Sequence, residues 1–370
     1  MNEHVSLRDK FFGCIAGVHI GSAMAAPVEG WPYQRIEAEY GTLDRFLPYH
    51  HYRHTTDWVR EPGTTEDGVE RQKLIITAIM RKQDRITAED LRAVWVSDMN
   101  PNGAGVVSEP FEGPLLAMAK TPIPARDLGR YCDYAGLVSF ARSCHPVGLI
   151  NAGDVQGALE DILEVGQVYQ TSNSRGLQWA AVTGVAIAEA TKPDATVDSV
   201  LGAIVDVCGT FSERDAHPAR FVQDAGVVRE IDRALKLTAN CQNFRELRVA
   251  FEDVYQGKGI PYAQSYANEV VTKAVCIFRM VKGNLHDAIV AGVNMGRDTD
   301  CMSAVAAGIS GALTGSASLP ETWVEQVDYA ASINSHTNTQ RTLREHADGL
   351  YDAFQARLHT LREYAEAMAY

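Results

Sequence analysis

Apolar side chains recur at intervals of three and four residues along most of this 370-residue chain. The stretch 155–168 shows the pattern clearly, with acidic residues at the positions between the apolar ones. This spacing places apolar side chains on one face of an α-helix, and alternating, strand-like stretches are scarce. The pattern therefore predicts a compact all-α fold. The predicted helices cover 5–25, 66–81, 88–96, 154–170, 175–191, 197–208, 221–237, 243–255, 267–281 and 343–368.

Three stretches lack helical periodicity, at 41–63, 100–114 and 209–220. The first contains the run Tyr49-His50-His51-Tyr52-Arg53-His54 and also Trp58, which either line a substrate pocket or form a surface loop with half-buried aromatic rings. No shift in composition, internal repeat or low-complexity tract divides the chain. We therefore expect one domain of residues 1–370.

Charge and cysteine content narrow the classes of protein that fit. The net charge is −13, which is unfavourable for binding nucleic acid because phosphate contacts depend on lysine and arginine. The seven cysteines are scattered and form no Cys-x-x-Cys pair, as expected for a reducing, cytoplasmic location. No signal peptide is evident, and no uninterrupted apolar run reaches the roughly 18 residues that suggest a membrane span.

Two acidic motifs stand at the starts of predicted helices. Asp298-Thr299-Asp300 precedes a run of small residues, and Thr65-Glu66-Asp67 precedes the helix predicted at 66–81. Either motif alone is more typical of an ordinary helix start, where hydroxyl and carboxylate groups cap the backbone. Together with the third acid, Glu29, they suggest a two-metal site or a metal-plus-base site, since hard cations need several oxygen ligands.

Three segments of the chain resemble motifs of one family. Residues 13–30, ending in Ala-Pro-Val-Glu-Gly, the Thr65-Glu66-Asp67 motif and the segment 296–301 resemble the ADP-ribosylglycohydrolase family and follow its order. The resemblance extends over residues 10–316. Members of this family cleave the bond between ribose C1″ and an acceptor atom. The family's fold, a single all-α domain, agrees with the prediction from periodicity.

The resemblance implies a catalytic centre with two divalent cations, Mg²⁺ or Mn²⁺. Carried over to this chain, it assigns metal ligation to Thr65, Glu66, Asp67, Asp298 and Asp300. Asp300 is expected to bridge the cations, and Glu29 to touch ribose or water on the substrate side. Glu29, Asp67 and Asp300 are thus the expected catalytic residues.

The substrate-binding residues expected from the sequence are Gly103, Gly105 and Arg142. The two glycines allow the backbone to approach a pyrophosphate closely, although a flexible connector explains them as well. Arg142 lies in a segment that resembles the family's central loop. His145 follows in the same segment, but a helix cap or a hydrogen-bonded core position explains it better than substrate contact.

The chain departs from the family at positions that concern metal and substrate. Glu66 stands where the family usually has aspartate, and Cys301 replaces a usual threonine ligand; a thiol suits Mn²⁺ or Zn²⁺ better than Mg²⁺. After Tyr169 the chain has 170–175, Gln-Thr-Ser-Asn-Ser-Arg, where the family often has a histidine-containing segment. That difference concerns the substrate more than the metal chemistry.

Three functional hypotheses follow. The first is a metal-dependent hydrolase that releases ADP-ribose from a modified protein side chain or small acceptor. The second is an N-glycosidase for a nucleoside or another small N-riboside, and the third a catalytically silent binding protein. The expected partner is a small-molecule or ADP-ribosylated substrate, with no nucleic acid and no membrane. The oligomeric state is left open, because the apolar stripe on the last helix fits its own core or a second subunit.

Overall fold

A computed structural model describes residues 5–51, 57–103, 106–109, 111–132, 136–172, 174–214, 226–255 and 265–369. In these ranges the chain forms seventeen α-helices and no β-sheet, which confirms the predicted all-α fold. The helices are α1 Leu7–Ala25, α2 Tyr33–Tyr40, α3 Asp67–Lys82, α4 Ala88–Asp98, α5 Glu112–Ala119, α6 Ala125–Leu128, α7 His145–Ile150, α8 Val155–Val165, α9 Arg175–Ala190, α10 Val197–Arg214, α11 Val227–Leu237, α12 Phe244–Tyr255, α13 Ala267–Met280, α14 Leu285–Val293, α15 Thr299–Thr314, α16 Glu321–Ile333 and α17 Leu343–Ala367.

The predicted helices are found, with changes at their ends. Helix α10 continues to Arg214, so the prediction of an irregular stretch at 209–220 is wrong for residues 209–214; a helix tolerates an interior glycine at a cost of about 1 kcal/mol. The α-helix predicted at 154–170 ends at Val165 and continues as a 3-10 turn from Gly166 to Val168. Residues 215–225, which include the predicted start of the next helix, lie outside the described residues.

Helices α1 and α15 form the centre of the fold and touch along their backbones. Gly13, Gly17 and Gly21 recur every four residues on α1 and so share one face. A Cβ atom at Gly13 would lie 2.8 Å from the carbonyl oxygen of Gly311, and one at Gly17 would lie 2.8 Å from that of Ala307. Only glycine permits this approach, which brings two distant parts of the sequence together.

Helix α1 is also apolar and long enough to resemble a membrane span. The segment Leu7–Val28 has a mean hydropathy of 1.5, but 94% of its most apolar window is buried inside the protein. Phe11 on this helix packs against Tyr351 and Phe354 of α17, with ring centroids 5.6 and 5.8 Å apart. These contacts are those of a core helix, and they join the first and last helices of the chain.

Candidate active site

The end of α1 and the start of α15 place Glu29 beside the second acidic motif. Thr299 Oγ1 donates a hydrogen bond to the carbonyl oxygen of Ala25 (3.0 Å). The amide of Gly30 donates to the carbonyl oxygen of Arg297, and the amide of Arg297 donates to that of Trp31, both at 2.7 Å. This reciprocal pair of backbone hydrogen bonds fixes the loop that carries Asp298 against the turn that carries Glu29.

The backbone of that loop is left-handed at two successive residues, Gly296 with a φ of 75° and Arg297 with a φ of 67°. A left-handed arginine is uncommon, and it needs support from the surroundings. The support comes from Glu269, a fully buried acid whose carboxylate accepts from Arg297 Nε at 2.5 Å and from Lys273 Nζ at 2.7 Å. The bend directs the chain into α15 at Asp298, its N-cap residue.

Arg142 joins the two acidic motifs. Its Nη1 donates to Asp300 Oδ2 at 2.8 Å, and its Nη2 pairs with Asp67 Oδ1 at the start of α3. Its Nη1 also lies 2.6 Å from Cys301 Sγ. Asp67 has a second cationic neighbour, Arg71, whose Nη2 is 2.9 Å from Oδ2. The motifs therefore meet, as the sequence predicted, and they meet around a guanidinium group.

Asp298, Asp300 and Cys301 form a group suited to one cation. One potential ligand atom from each of the three lies within 4.8 Å of the others, and all three side chains are buried. Among the described residues, neither oxygen of Asp298 nor Oδ1 of Asp300 has a hydrogen-bond partner of ordinary geometry. Buried carboxylate oxygens without partners are costly, and a cation would offset that cost. The residues here thus fit a divalent ion.

Glu66 is surrounded differently. Its carboxylate forms an ion pair with Arg60 Nη1 and accepts from the hydroxyl group of Tyr49. His51 Nε2 lies 3.4 Å from Glu66 Oε2 and 3.9 Å from Glu29 Oε2. The acid that the sequence assigned to metal ligation is therefore neutralised by an arginine, while His51 connects it to Glu29.

Burial and the charge of neighbouring acids raise the pKa values of Asp298 and Glu29. Burial, and then the charge of Asp300, raises the pKa of Asp298 to about 8. Burial, followed by the charges of Asp300 and Asp298, raises the pKa of Glu29 well above its ordinary value. A carboxyl group with a raised pKa is suited to exchange protons near neutral pH, which is the behaviour of a general acid or base.

A cavity that is open to solvent lies against this cluster. Apolar and aromatic side chains contribute to it through Phe111, Leu137 and Val138. The polar lining residues discussed above are Glu29, His51, Asp67, Arg71, Arg142, Asp298 and Cys301.

Other residues predicted for the site lie elsewhere. Thr65 is buried next to Glu66 but is not among the described residues that line the cavity. Gly103 occupies a turn against the carbonyl oxygen of His336, also away from the cavity lining, and Gly105 is outside the described residues. His145 is fully buried against Gly308 of α15, with its pKa lowered by burial to about 3; it occupies a core position, but neither ring nitrogen has a hydrogen-bond partner of ordinary geometry among the described residues.

The aromatic stretch before α3 is only partly described. His51 lines the cavity, Tyr49 is buried against Glu66, and Trp58 packs on His336 with ring centroids 4.9 Å apart. Tyr52, Arg53 and His54 lie outside the described residues. Among the described residues of this stretch, His51 is therefore the one that supports the interpretation as a substrate pocket.

Sequence reasoning missed two of the arginines at the site, Arg60 and Arg71. Arg71 pairs with Asp67 four residues earlier on α3, a spacing that puts two side chains on the same helix face, so the sequence contained that signal. It also pairs with the buried Glu112 of α5. Arg60 lies in an irregular segment, and nothing in its local sequence indicates a buried partner.

The helical fold and the buried acidic cluster beside a cavity define an all-α protein with a site compatible with cation binding. The sequence model of the ADP-ribosylglycohydrolase family matches residues 3–359, and the chain belongs to that family. Membership supports a glycohydrolase that acts on substrates of the ADP-ribose type.

Two similar proteins agree with this assignment. The uncharacterized protein YegU of Escherichia coli K12 is 23% identical over 312 residues, which cover 83% of this chain and 88% of YegU. A solved structure described as an ADP-ribosylglycohydrolase-related protein complex has a TM-score of 0.55 and 16% identity, and the match covers 94% of this chain and 97% of that one. This second similarity shows a shared fold.

Proposed function

We propose that this protein is a divalent-metal-dependent hydrolase that cleaves an N-glycosidic ribosyl bond and releases ADP-ribose from a modified acceptor. The observation that carries the proposal is the position of Glu29, 9% exposed at the cavity, beside the buried and unpartnered oxygens of Asp298. Family membership supplies the reaction class, and these residues supply acid–base and cation-binding groups at one place.

Each chemical role corresponds to a residue at the cavity. The bond from C1″ to the acceptor breaks with its electron pair going to the acceptor, through a transition state with positive charge on the ribose. Water then bonds to C1″ and gives its proton to Glu29, while the acceptor takes up one proton from solvent; Glu29 afterwards returns its proton to solvent. Asp298, Asp300 and Cys301 would hold a cation, which when bound lowers the pKa of water and orients sugar hydroxyls. The nearby carboxylates favour the positive charge that develops on ribose.

The proposal also covers the identity of the metal ion and the cellular location. The cation proposed is Mg²⁺ or Mn²⁺, of which Mn²⁺ tolerates the thiol of Cys301 better. The seven cysteines form no disulfide among the described residues, which supports action in the reducing cytoplasm on a small-molecule or ADP-ribosylated substrate.

A second candidate function is hydrolysis of a nucleoside or another small N-riboside. The observation that favours it is Gln170, which stands where the family often has its histidine segment. Gln170 is fully buried, and its Nε2 donates to the carbonyl oxygen of Leu137, a residue of the cavity lining (3.0 Å). The side chain therefore supports the cavity wall from behind, and it does not present a ring to a large substrate.

The test is sugar release, detected by mass spectrometry, with Mn²⁺ or Mg²⁺ present. The substrates are ADP-ribosyl-arginine, ADP-ribosyl-serine and several plain nucleosides. We expect release of ADP-ribose that EDTA abolishes and that Glu29→Gln reduces by on the order of 10²-fold or more, the usual contribution of a general acid or base. Glu160→Gln is the matched control, because Glu160 is 60% exposed and does not line the cavity.

The outcomes separate the hypotheses. Release from nucleosides alone would favour the second candidate function. Activity that survives both EDTA and Glu29→Gln would contradict the proposed roles of the cation and of the carboxylate. Binding of substrate without any release would favour a catalytically silent protein.

A further inference from the structure

We propose that arginine side chains occupy one of the two cation positions that the family implies, so that this chain binds a single divalent ion on the Asp298 side. The inference deepens the proposed function and depends on it for the identity of the site. It concerns the number of metal ions bound, which can be measured without a substrate.

The first support is the position of Arg142. Its guanidinium group contacts Asp67 from the upstream motif and both Asp300 and Cys301 from the downstream motif. A cation bound by both motifs would need oxygen ligands from Asp67 and Asp300. These are the same two carboxylates that the guanidinium group of Arg142 contacts. The guanidinium group already supplies positive charge between them, with directional hydrogen bonds that a carboxylate accepts well.

The second support is the space that Gly68 on α3 leaves for the side chain of Arg142. A Cβ atom at Gly68, directly after Asp67, would lie 2.5 Å from Arg142 Nε and 2.7 Å from its Cδ. A larger residue at position 68 would thus require the arginine side chain to move from its present position. The chain has a glycine in the first turn of α3, where it weakens the helix by about 1 kcal/mol relative to alanine, and the arginine stem fills the space.

The third support is Glu66, whose departure from the usual aspartate now has a physical explanation. Glu66 and Arg60 form an ion pair in which each side chain is 1% exposed, and Tyr49 donates to the same carboxylate. The longer side chain extends to these partners. A carboxylate with one oxygen bound to a buried arginine and a tyrosine is poorly available to a metal ion, since moving it away would cost the buried Arg60 its carboxylate partner.

The Arg142 guanidinium group is also stable in this environment. A guanidinium group stays protonated at any pH at which the protein is folded. The positive charge between the motifs is therefore permanent, whereas a metal ion would exchange with solution. What is left for a divalent ion is the set of unpartnered oxygens on Asp298 and Asp300, with Cys301 beside them.

The experiment counts bound metal. The full-length protein is saturated with Mn²⁺, freed of excess ion by equilibrium dialysis, and analysed by plasma mass spectrometry and by electron paramagnetic resonance. We expect one Mn²⁺ per chain and the spectrum of an isolated ion. Arg142→Ala removes the guanidinium group and should raise the count to two, with spectral features of two coupled ions. Arg142→Lys keeps the charge and should leave the count at one.

The control variant is Arg85→Ala. Arg85 also pairs with an aspartate, Asp161, through two hydrogen bonds of 2.6 and 2.7 Å, but it does not line the cavity, and the count should stay at one. Two coupled Mn²⁺ ions in the unmodified protein would overturn the inference, even if Arg142→Ala failed to fold. One ion per chain without sugar release would support the inference and contradict the proposed function.

Discussion

At the scale of single residues, the position of Asp298 is electrostatically unfavourable for an ionised carboxylate. Its carboxylate is fully buried, and its oxygens have no hydrogen-bond partner among the described residues. Burial is the first cause of the raised pKa of both Asp298 and Glu29, and the negative charge of Asp300 adds to it in each case. The folded protein tolerates this arrangement because the close packing of α1 on α15 holds the acids in place.

The first prediction concerns the pH dependence of stability without metal. The pKa of Asp298 is about 8 in the folded protein and about 4 in the unfolded chain, so the folded state binds this proton more tightly. Asp298 therefore lowers the free energy of unfolding progressively as the pH rises from about 4 to about 8. Over this pH range the free energy of unfolding of Asp298→Asn should fall by on the order of 2 kcal/mol less than that of the unmodified protein.

Urea denaturation at pH 5 and pH 8 in EDTA measures this difference. Asp232→Asn is the control, because Asp232 is 54% exposed in its pair with Lys236. Parallel losses of stability in the unmodified protein and in Asp298→Asn would contradict the predicted role of this carboxylate.

At the scale of elements, one helix pair brings the motifs together. The glycines of α1 at positions 13, 17 and 21 let α15 approach until backbone atoms touch. This contact holds the end of α1 beside the start of α15. Glu29 follows the end of α1, and Asp298 directly precedes α15. A change in the spacing of the helices should therefore alter both stability and the site.

The second prediction tests that contact. Gly17→Ala places a methyl group 2.8 Å from the carbonyl oxygen of Ala307 and should lower the free energy of unfolding by about 1–3 kcal/mol. Gly202→Ala, on α10, has open space around the new methyl group, so it should be neutral or stabilising by up to about 1 kcal/mol. Urea denaturation compares the two variants, and equal effects would show that helix propensity, and not close packing, governs position 17.

At the scale of the whole molecule, the last helix divides into a packed half and an exposed half. Leu350 and Phe354 of α17 are buried in the core, so this part of the apolar stripe packs on its own chain. The stripe does not continue, however, since Leu361 is 51% exposed and Tyr364 is 64% exposed. The whole fold therefore depends on the first part of α17.

The third prediction follows from this division. A chain ending at Thr360 should keep its free energy of unfolding to within about 0.5 kcal/mol, because the side chains at 361–369 are exposed. A chain ending at Gly349 loses Leu350 and Phe354 and should be destabilised by several kcal/mol, or should fail to fold. Calorimetry of both truncations provides the comparison. Strong destabilisation by the shorter deletion would indicate that residues 361–370 have a partner, such as a second copy of the chain.

The sequence by itself determined the helices and the two acidic motifs, because helical periodicity and first-turn acids are local patterns that need no knowledge of distant residues. Only the tertiary structure decided what surrounds those acids. Arg142 and Asp300 are 158 residues apart in the chain, and the space for Arg142 depends on a glycine in a third segment, Gly68. Such contacts depend on how helices pack, and the same local sequence is compatible with a metal ligand or with one half of a buried ion pair.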